Sequence, residues 1–367
     1  LPSFAANWHC LGLCVAERLF WECALYPVKP TYTLNSWLHS RILKVQVSYP
    51  LEGRVMNRYQ LYGGGGSPYS QKMRSILHYR RLPFDWVQIT PAIRAQIQHD
   101  GPPVIPILRL PEDNSLHVDS TPLALMLEAR HTERSIIPTD PAMAFLSFLI
   151  EDMADEWATK IMFHYRWDLE IDQQYSSRQI ISDNTPGLRG EALAKAAQAI
   201  RDRQVGRMPL VGCTPQNKPI IEQSFHELLT ILDSFATRDE YLLGTRPALA
   251  DFGLFGQLKT LASDHTPMLI MRSKVPSVYD WVRRLEDSSG IEGKWHSFAE
   301  MRPAVLDMLR FCATYYLPFL SANQHAIAQG DPVVSLTLAG RPYQQPVFKY
   351  QAKCLARLKS LWADADK

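Results

Sequence analysis

The chain has 367 residues, of which 46% are hydrophobic, and a formal net charge of +2. This length and composition predict a soluble protein of about two domains, and the balanced charge argues against a nucleic-acid partner. No apolar run approaches the roughly 20 residues that a membrane-spanning helix needs. The six cysteines lack Cys-x-x-Cys spacing, which predicts neither a zinc site nor a disulfide framework and favours a reducing cytoplasm.

Residues 1–55 show no clear period of secondary structure. The chain begins at Leu1, and its first methionine is Met56, directly before the first predicted strand. The segment lacks the charged start and apolar core of a secretory signal, and its glutamates are unlike a mitochondrial presequence. We therefore expect an N-terminal extension that is not native, with translation starting at Met56. The alternative is an added arm that packs on the first domain.

A strand, a glycine turn and a helix follow one another in residues 59–80. Residues 59–62 have the composition of a short strand, and four consecutive glycines break it. Ser67 suits the N-cap of the next helix and Pro68 its first turn. Free backbone N–H groups and the positive end of a helix dipole therefore converge at Ser67, which favours an anion. Neither the P-loop nor the Rossmann glycine spacing is present, which argues against a nucleotide phosphate.

The pattern continues with further short strands and a helix. Residues 84–89 predict a second strand, and the helix between the first two strands requires them to be parallel. Residues 102–110 lead into a third strand and residues 115–118 form a fourth. Asp119 and Ser120 then begin another helix, and taken alone they are interpreted most simply as helix caps.

These motifs resemble those of the cytosolic glutathione transferases. The run Ser-Pro-Tyr-Ser-Gln-Lys-Met-Arg at 67–74 is similar to the active-site turn of the serine-type classes, and Val-Ile-Pro-Ile-Leu at 104–108 is similar to the strand that opens with a cis-proline. Asp119-Ser120 matches the family's Glu/Gln-Ser pair. The stretch at 242–251 resembles the signature of the family's C-terminal domain, with Ala248 in place of the hydroxyl residue of its capping box.

The resemblance implies an α/β plus all-α fold: a thioredoxin-like N-terminal domain followed by an all-helical C-terminal domain. The expected boundaries are 56–136 for the glutathione-binding domain, 141–299 for the helical domain and 300–367 for a C-terminal extension. In that extension we predict a helix, two strands around a four-residue turn at 339–342, and a final helix. The extension has no predicted function.

The resemblance also implies roles for individual residues. Ser67, as the catalytic residue, would donate a hydrogen bond to the glutathione thiolate. Ile105, before a cis bond to Pro106, would pair its backbone with the cysteinyl unit as an added edge strand. Asp119 and Ser120 would hold the γ-glutamyl group, the carboxylate meeting its ammonium and the helix start its carboxylate.

Two features depart from the family pattern. Val104 stands where serine-type relatives often carry a lysine, so the glycyl carboxylate of glutathione would be held by Arg94, Gln98 or His99, among which the sequence does not choose. The four glycines also predict a turn that is looser than usual.

Beyond the first domain, residues 146–164 have an amphipathic helical period. Four acids and a lysine lie mostly opposite the apolar stripe and predict a solvated face: Glu151, Asp152, Asp155, Glu156 and Lys160. We expect no metal, because paired carboxylate sites need Glu-x-x-His from two helices. Four side chains are candidates for a hydrophobic electrophile pocket: Tyr69, Trp157, His164 and Tyr165. The alternative for His164 is a core histidine.

From the resemblance we expect a glutathione S-transferase that conjugates the glutathione thiolate to a small hydrophobic electrophile. Glutathione would be the co-substrate, and the protein would act in detoxification as a cytoplasmic homodimer. The alternative is a non-catalytic binding or scaffold protein on the same fold, favoured by Val104, the glycine turn and the extension. A deglutathionylating reductase is the weakest hypothesis, because such an enzyme needs a cysteine at the position that Ser67 occupies.

Overall fold

The computed structural model describes residues 58–236 and 240–365. The N-terminal extension predicted at residues 1–55 lies outside these described residues, as does the proposed start at Met56. Within the described part of the chain, no helix combines the length and the apolar character that crossing a membrane requires.

The first element is a mixed sheet of four strands. Its strands are β1 (Tyr59–Gly63), β2 (Phe84–Gln88), β3 (Ile107–Arg109) and β4 (Leu116–Val118), in the spatial order β2-β1-β3-β4. The predicted parallel pairing of β1 with β2 is confirmed, and β3 runs antiparallel to both β1 and β4. Three helices accompany the sheet: α1 (Pro68–Tyr79), α2 (Pro91–Gln96) and α3 (Ser120–Arg130).

Helix α1 forms where the sequence predicts it. Ser67 is its N-cap, with an extended backbone, and its side chain accepts a hydrogen bond from the Ser70 N–H. The apolar face of α1 is fully buried and packs against a later helix, α9 (Leu249–Leu261). A Cβ atom at Gly256 on α9 would lie 2.6 Å from the carbonyl of Pro68, so only glycine permits this close approach.

The middle of the chain is helical. Besides α9, its helices are α4 (Pro141–Met153), α5 (Thr159–Trp167), α6 (Glu170–Asn184), α7 (Gly190–Val205), α8 (Lys218–Asp233), α10 (His265–Lys274) and α11 (Pro276–Leu285). A π-helical turn, Ala154–Ala158, joins α4 to α5. The predicted fold class is confirmed: a thioredoxin-like sheet region is followed by an all-helical region.

The C-terminal part adds two helices, a hairpin and a last helix. Its elements are α12 (Pro303–Phe311), α13 (Leu317–Gln329), β5 (Val333–Leu338), β6 (Arg341–Pro346) and α14 (Lys349–Ala365). The predicted four-residue turn is wrong, because two residues suffice to connect the strands. Ala339 and Gly340 have φ angles of 47° and 76°, the left-handed pair that a tight hairpin needs.

The prediction of a solvated acidic face on α4 and the π turn is also wrong. Glu151 is 2% exposed, Asp155 8% and Lys160 1%. Helix α1 packs on this face with Lys72, and the C-terminal part covers the rest through Gln345, which accepts a hydrogen bond from Lys160. A helical period shows which residues share a face, but not whether a distant segment of chain covers that face.

Candidate functional site

The glycine turn between β1 and α1 is held at three carbonyls. Its hydrogen bonds run to Gly64 from Ser67 N (3.0 Å), to Gly65 from Gln71 Nε2 (2.8 Å) and to Gly66 from Arg166 Nη1 (2.7 Å). The turn is therefore anchored by its own helix and by α5. This corrects the expectation of a loose turn, which considered only the flexibility of glycine.

Helix α6 lies directly over this turn. A Cβ atom at Gly65 would come within 2.8 Å of Oδ2 of Asp183 on α6, so a larger residue there would displace the Asp183 side chain. Next to it, Gln88 at the end of β2 donates to Asn184 at 3.4 Å. Helix α6 was not predicted from the sequence, because its apolar residues do not follow a helical period.

Ser67 is half-buried at the start of the 12-residue helix α1. Its hydroxyl oxygen accepts the N–H of Ser70 at 3.3 Å. A serine hydroxyl has one proton and two lone pairs, so this contact leaves the proton free to donate. An anion bound next to Ser67 would meet that proton and the positive end of α1.

The start of β3 lies beside the glycine turn. The Ile105–Pro106 bond is cis, which confirms the prediction. A Cβ atom at Gly64 would lie 3.5 Å from Cδ1 of Ile105, so the turn and the residue before the cis-proline lie side by side. Ile105 itself is half-buried.

Asp119 does not act as a simple helix cap. It precedes α3, yet its side chain makes no capping hydrogen bond, and its φ angle is 77°. This left-handed conformation costs a non-glycine residue about 1–3 kcal/mol, and such strain clusters at functional sites. Instead, Oδ2 of Asp119 accepts a hydrogen bond of 3.3 Å from the hydroxyl of Tyr350 on α14.

Ser120 belongs to a buried polar network. Lys72 of α1 donates to Ser120 Oγ at 3.4 Å, to Asp155 Oδ2 at 2.7 Å and to Glu151. Burial lowers the pKa of the Lys72 ammonium, but the two carboxylates outweigh burial and raise that pKa above its usual range. Burial raises the pKa of Asp155; Lys72 lowers that pKa, and the neighbouring Glu151 carboxylate raises it further.

This network joins α1, α3 and α4, and it therefore fixes Ser120 relative to the helix that Ser67 caps. The sequence alone did not predict it. One signal was present: Lys72 lies four residues before Ile76, on the buried face of α1, where a lysine needs a partner.

A second buried pair supports the turn from the helical side. Arg166 Nε lies 2.8 Å from Asp264 Oδ2, and the Ser176 hydroxyl donates to Asp264 Oδ1 at 2.7 Å. Arg166 is 4% exposed and Asp264 is fully buried. The guanidinium therefore has a fixed position when it donates to Gly66.

Comparison with known proteins shows a similarity in the N-terminal region. Residues 61–135 match the family model described as glutathione S-transferase, N-terminal domain. This part of the chain is therefore similar to the N-terminal domain of the glutathione S-transferases. A search of curated proteins found no significant match.

Solved structures of glutathione transferases are similar to this chain at low identity. The beta-etherase LigF from Sphingobium sp. strain SYK-6 is 19% identical, covering 69% of this chain and 98% of its own, with a TM-score of 0.41. A glutathione S-transferase from Methylobacterium radiotolerans in complex with glutathione sulfonate is 22% identical, covering 68% and 94%, with a TM-score of 0.39. A family member from Pseudomonas fluorescens Pf-5 with bound glutathione is 18% identical, covering 68% and 98%, with a TM-score of 0.33. We transfer no residue role from them.

Three of the four residues predicted for an electrophile pocket are core residues. Trp157 is fully buried and stacks on Tyr315 with 5.6 Å between ring centroids. Tyr165 and His164 are 6% and 2% exposed. The prediction of a pocket is therefore not supported for these three. The C-terminal part packs on Trp157, and α8 packs on the other two through Phe225 and Glu222. Tyr69 is half-buried, and its hydroxyl donates to the Asp155 carbonyl at 3.1 Å.

His164 belongs to a small charged cluster. Among residues 58–236 and 240–365, one group has the spacing of metal ligands: His164, Asp168 and Glu222. Their potential ligand atoms lie within 4.8 Å of one another. Lys218 lies 2.7 Å from Asp168 and 3.8 Å from Glu222. The Lys218 ammonium is shared by the two carboxylates, and His164 Nε2 lies 3.1 Å from Glu222 Oε1. We therefore interpret the cluster as a network of polar and ionic contacts among its own side chains.

The three candidates for the glycyl carboxylate lie together. Arg94, Gln98 and His99 all line one cavity of about 300 Å³ that also reaches Ile107, the first residue of β3. Arg94 and Gln98 are exposed and His99 is half-buried. The structure thus brings the three alternatives to one place, two residues beyond Ile105.

Proposed function

We propose that the protein is a glutathione transferase in which Ser67 stabilises the glutathione thiolate. The observation that carries the proposal is the position of the Ser67 hydroxyl. The hydroxyl accepts from Ser70 N–H and keeps its own proton at the start of α1, and Ile105 lies beside the nearby Gly64. A thiolate bound along Ile105 would have this proton and the positive end of a helix beside it.

The energy required is within reach of these donors. A free thiol has a pKa of about 8.5, and lowering it by two units requires about 2.7 kcal/mol. A hydrogen bond to a charged group contributes about 1.5–3 kcal/mol, and a helix N-terminus about 0.3–1 kcal/mol. The thiolate sulfur would then form a bond to the electrophilic carbon, whose leaving group departs with the electron pair, and the thiol proton passes to solvent.

The rest of the tripeptide would lie along the elements around the turn. Ile105 would pair through its backbone beside Pro106, while Asp119 and Ser120 would hold the γ-glutamyl group. The cavity of Arg94, Gln98 and His99 would take the glycyl carboxylate. The domain boundaries 56–136, 141–299 and 300–367, the cytoplasmic homodimer and a role in detoxification remain parts of this proposal.

Calorimetry with glutathione, followed by turnover with a chloronitrobenzene, tests the proposal. We expect binding and conjugation by the unmodified chain. The Ser67→Ala variant should bind glutathione with nearly unchanged affinity but turn over roughly 10- to 1000-fold more slowly, equivalent to about 1.4–4 kcal/mol of transition-state stabilisation.

Asp140→Ala is the matched control, because Asp140 caps α4 through Met143 N at 2.9 Å and also loses an N-cap. It should keep full turnover. Absence of glutathione binding by the unmodified chain would refute the proposal. Binding without turnover would instead favour a non-catalytic binding or scaffold protein, the alternative that Val104 supports.

A further inference from the structure

The last helix of the chain closes a cavity against the start of α3. This cavity has a volume of about 240 Å³, and its walls come from α3 with its N-cap, from α4 and from α14. Asp119, the residue assigned to the γ-glutamyl group, lies in the wall, and Tyr350 of α14 contacts it. The C-terminal extension therefore reaches the proposed glutathione site.

Helix α14 is held in this position at its start. The side chain of Asn323 on α13 binds both backbone groups of Phe348: Oδ1 accepts its N–H at 2.9 Å and Nδ2 donates to its carbonyl at 3.0 Å. Gln351 donates to Glu156 at 3.0 Å. Tyr350 lies between these two anchored residues, so its hydroxyl meets Asp119 as part of a fixed arrangement.

The cavity carries charges of both signs. Asp119 and Asp152 lie on the α3 and α4 side. Lys353 and Arg357 lie on the α14 side, at exposed positions one turn apart, and the Arg357 guanidinium sits over the Phe148 ring at 5.7 Å. The cavity is smaller than the roughly 300–1,000 Å³ of a drug-sized site, so it has room for only part of a ligand. Because a carboxylate faces cations across it, the cavity suits the zwitterionic end of a molecule.

We propose that α14 completes the γ-glutamyl end of the glutathione site. The α-ammonium of glutathione would lie at Asp119 with the Tyr350 hydroxyl beside it, and the α-carboxylate would be met by Lys353 and Arg357 together with the start of α3. This inference rests on the proposed function and makes the C-terminal extension part of the binding site. No bond is formed or broken at this end.

The test compares two binding-site variants with a matched control. Lys353→Ala/Arg357→Ala removes both cations, and Tyr350→Phe removes only the hydroxyl. Lys359→Ala is the control, because Lys359 is exposed on the same helix but bonds to Gln324 at 3.1 Å. Binding is measured by calorimetry for glutathione and for glutathione whose γ-glutamyl α-carboxylate has been converted to an amide. Circular dichroism confirms that each variant is folded.

We expect the double variant to bind glutathione roughly 5- to 30-fold more weakly, Tyr350→Phe roughly 2- to 5-fold more weakly, and the control within about twofold. The unmodified chain should bind the amide about as weakly as the double variant binds glutathione. The double variant should bind the amide and glutathione with the same affinity. Raising the salt concentration should weaken glutathione binding by the unmodified chain more than by the double variant.

The inference is overturned if the folded double variant binds glutathione as tightly as the unmodified chain, or if the unmodified chain binds the amide equally well. Either result would leave the proposed function intact. Failure of the unmodified chain to bind glutathione at all would instead refute the proposed function, and the inference with it.

Discussion

Arg166 on α5 donates a hydrogen bond of 2.7 Å from Nη1 to the carbonyl of Gly66, the residue before Ser67. The same guanidinium is paired with the fully buried carboxylate of Asp264. The position of the glycine turn that precedes α1 therefore depends on an ion pair inside the helical region, about 100 residues further along the chain.

Removing one partner of this ion pair should destabilise the protein strongly. Asp264→Ala would leave the buried guanidinium of Arg166 without a counter-charge, and such changes cost about 3–5 kcal/mol. Urea unfolding measures the loss. Asp307→Ala is the control, because it breaks the exposed pair with Arg310 and should change stability little. Equal losses in the two variants would show that burial of the Arg166 pair has no special role.

Local patterns in the sequence predicted much of the fold. The strand, glycine turn and capped helix around Ser67 are encoded within about 20 residues, and the cis bond at Pro106 followed from the family resemblance. The Arg166–Asp264 pair was beyond reach, because its partners are 98 positions apart and each is an ordinary charged residue when considered alone. Helix α6 was missed since buried polar residues such as Asp172 and Ser176 hide its period.

The network around Lys72 should make stability depend on pH once the lysine is removed. Lys72→Met leaves Glu151 and Asp155 buried without a cation, at a cost of about 3–5 kcal/mol at pH 8. At pH 5 the loss should be smaller, because Lys72 lowers the pKa of Asp155, and without the lysine this buried carboxylate takes up a proton more readily.

Urea unfolding of the Lys72→Met variant at the two pH values checks this. Lys195→Met, at an exposed position on α7, is the control and should show no such pH dependence. A loss for Lys72→Met that is the same at pH 5 and pH 8 would contradict the account of the network.

Asp152 should make the free energy of unfolding depend on pH, and the Asp152→Asn variant should lack this dependence. Burial raises the pKa of Asp152 to about 6; the Tyr316 hydroxyl, Cys354 and Arg357 lower it, and Glu151 raises it further. The pKa of Asp152 in the folded state lies above its value in the unfolded state, so folding favours the neutral carboxyl group. The resulting stabilisation is fully present below about pH 4 and is lost as pH rises through 6. At most about 3 kcal/mol is involved.

Asp152→Asn keeps an oxygen for the Tyr316 hydroxyl, which lies 2.6 Å away. We expect the unfolding free energy of the unmodified chain to fall between pH 4 and pH 6.5 relative to that of this variant. Asp280→Asn, at an exposed position, should follow the unmodified chain. Parallel curves for the Asp152→Asn variant and the unmodified chain would mean that Asp152 is not perturbed.

The most direct test of the central claim is the pKa of the glutathione thiol when it is bound to the protein. Thiolate absorbance is followed against pH for the unmodified chain, for Ser67→Ala and for the Asp140→Ala control. If Ser67 donates to the thiolate, the bound thiol should titrate about two units below the free value of roughly 8.5 in the unmodified chain and the control. It should return by about 1–2 units towards the free value in Ser67→Ala. A bound thiol with the same pKa in the unmodified chain and in Ser67→Ala would contradict the account.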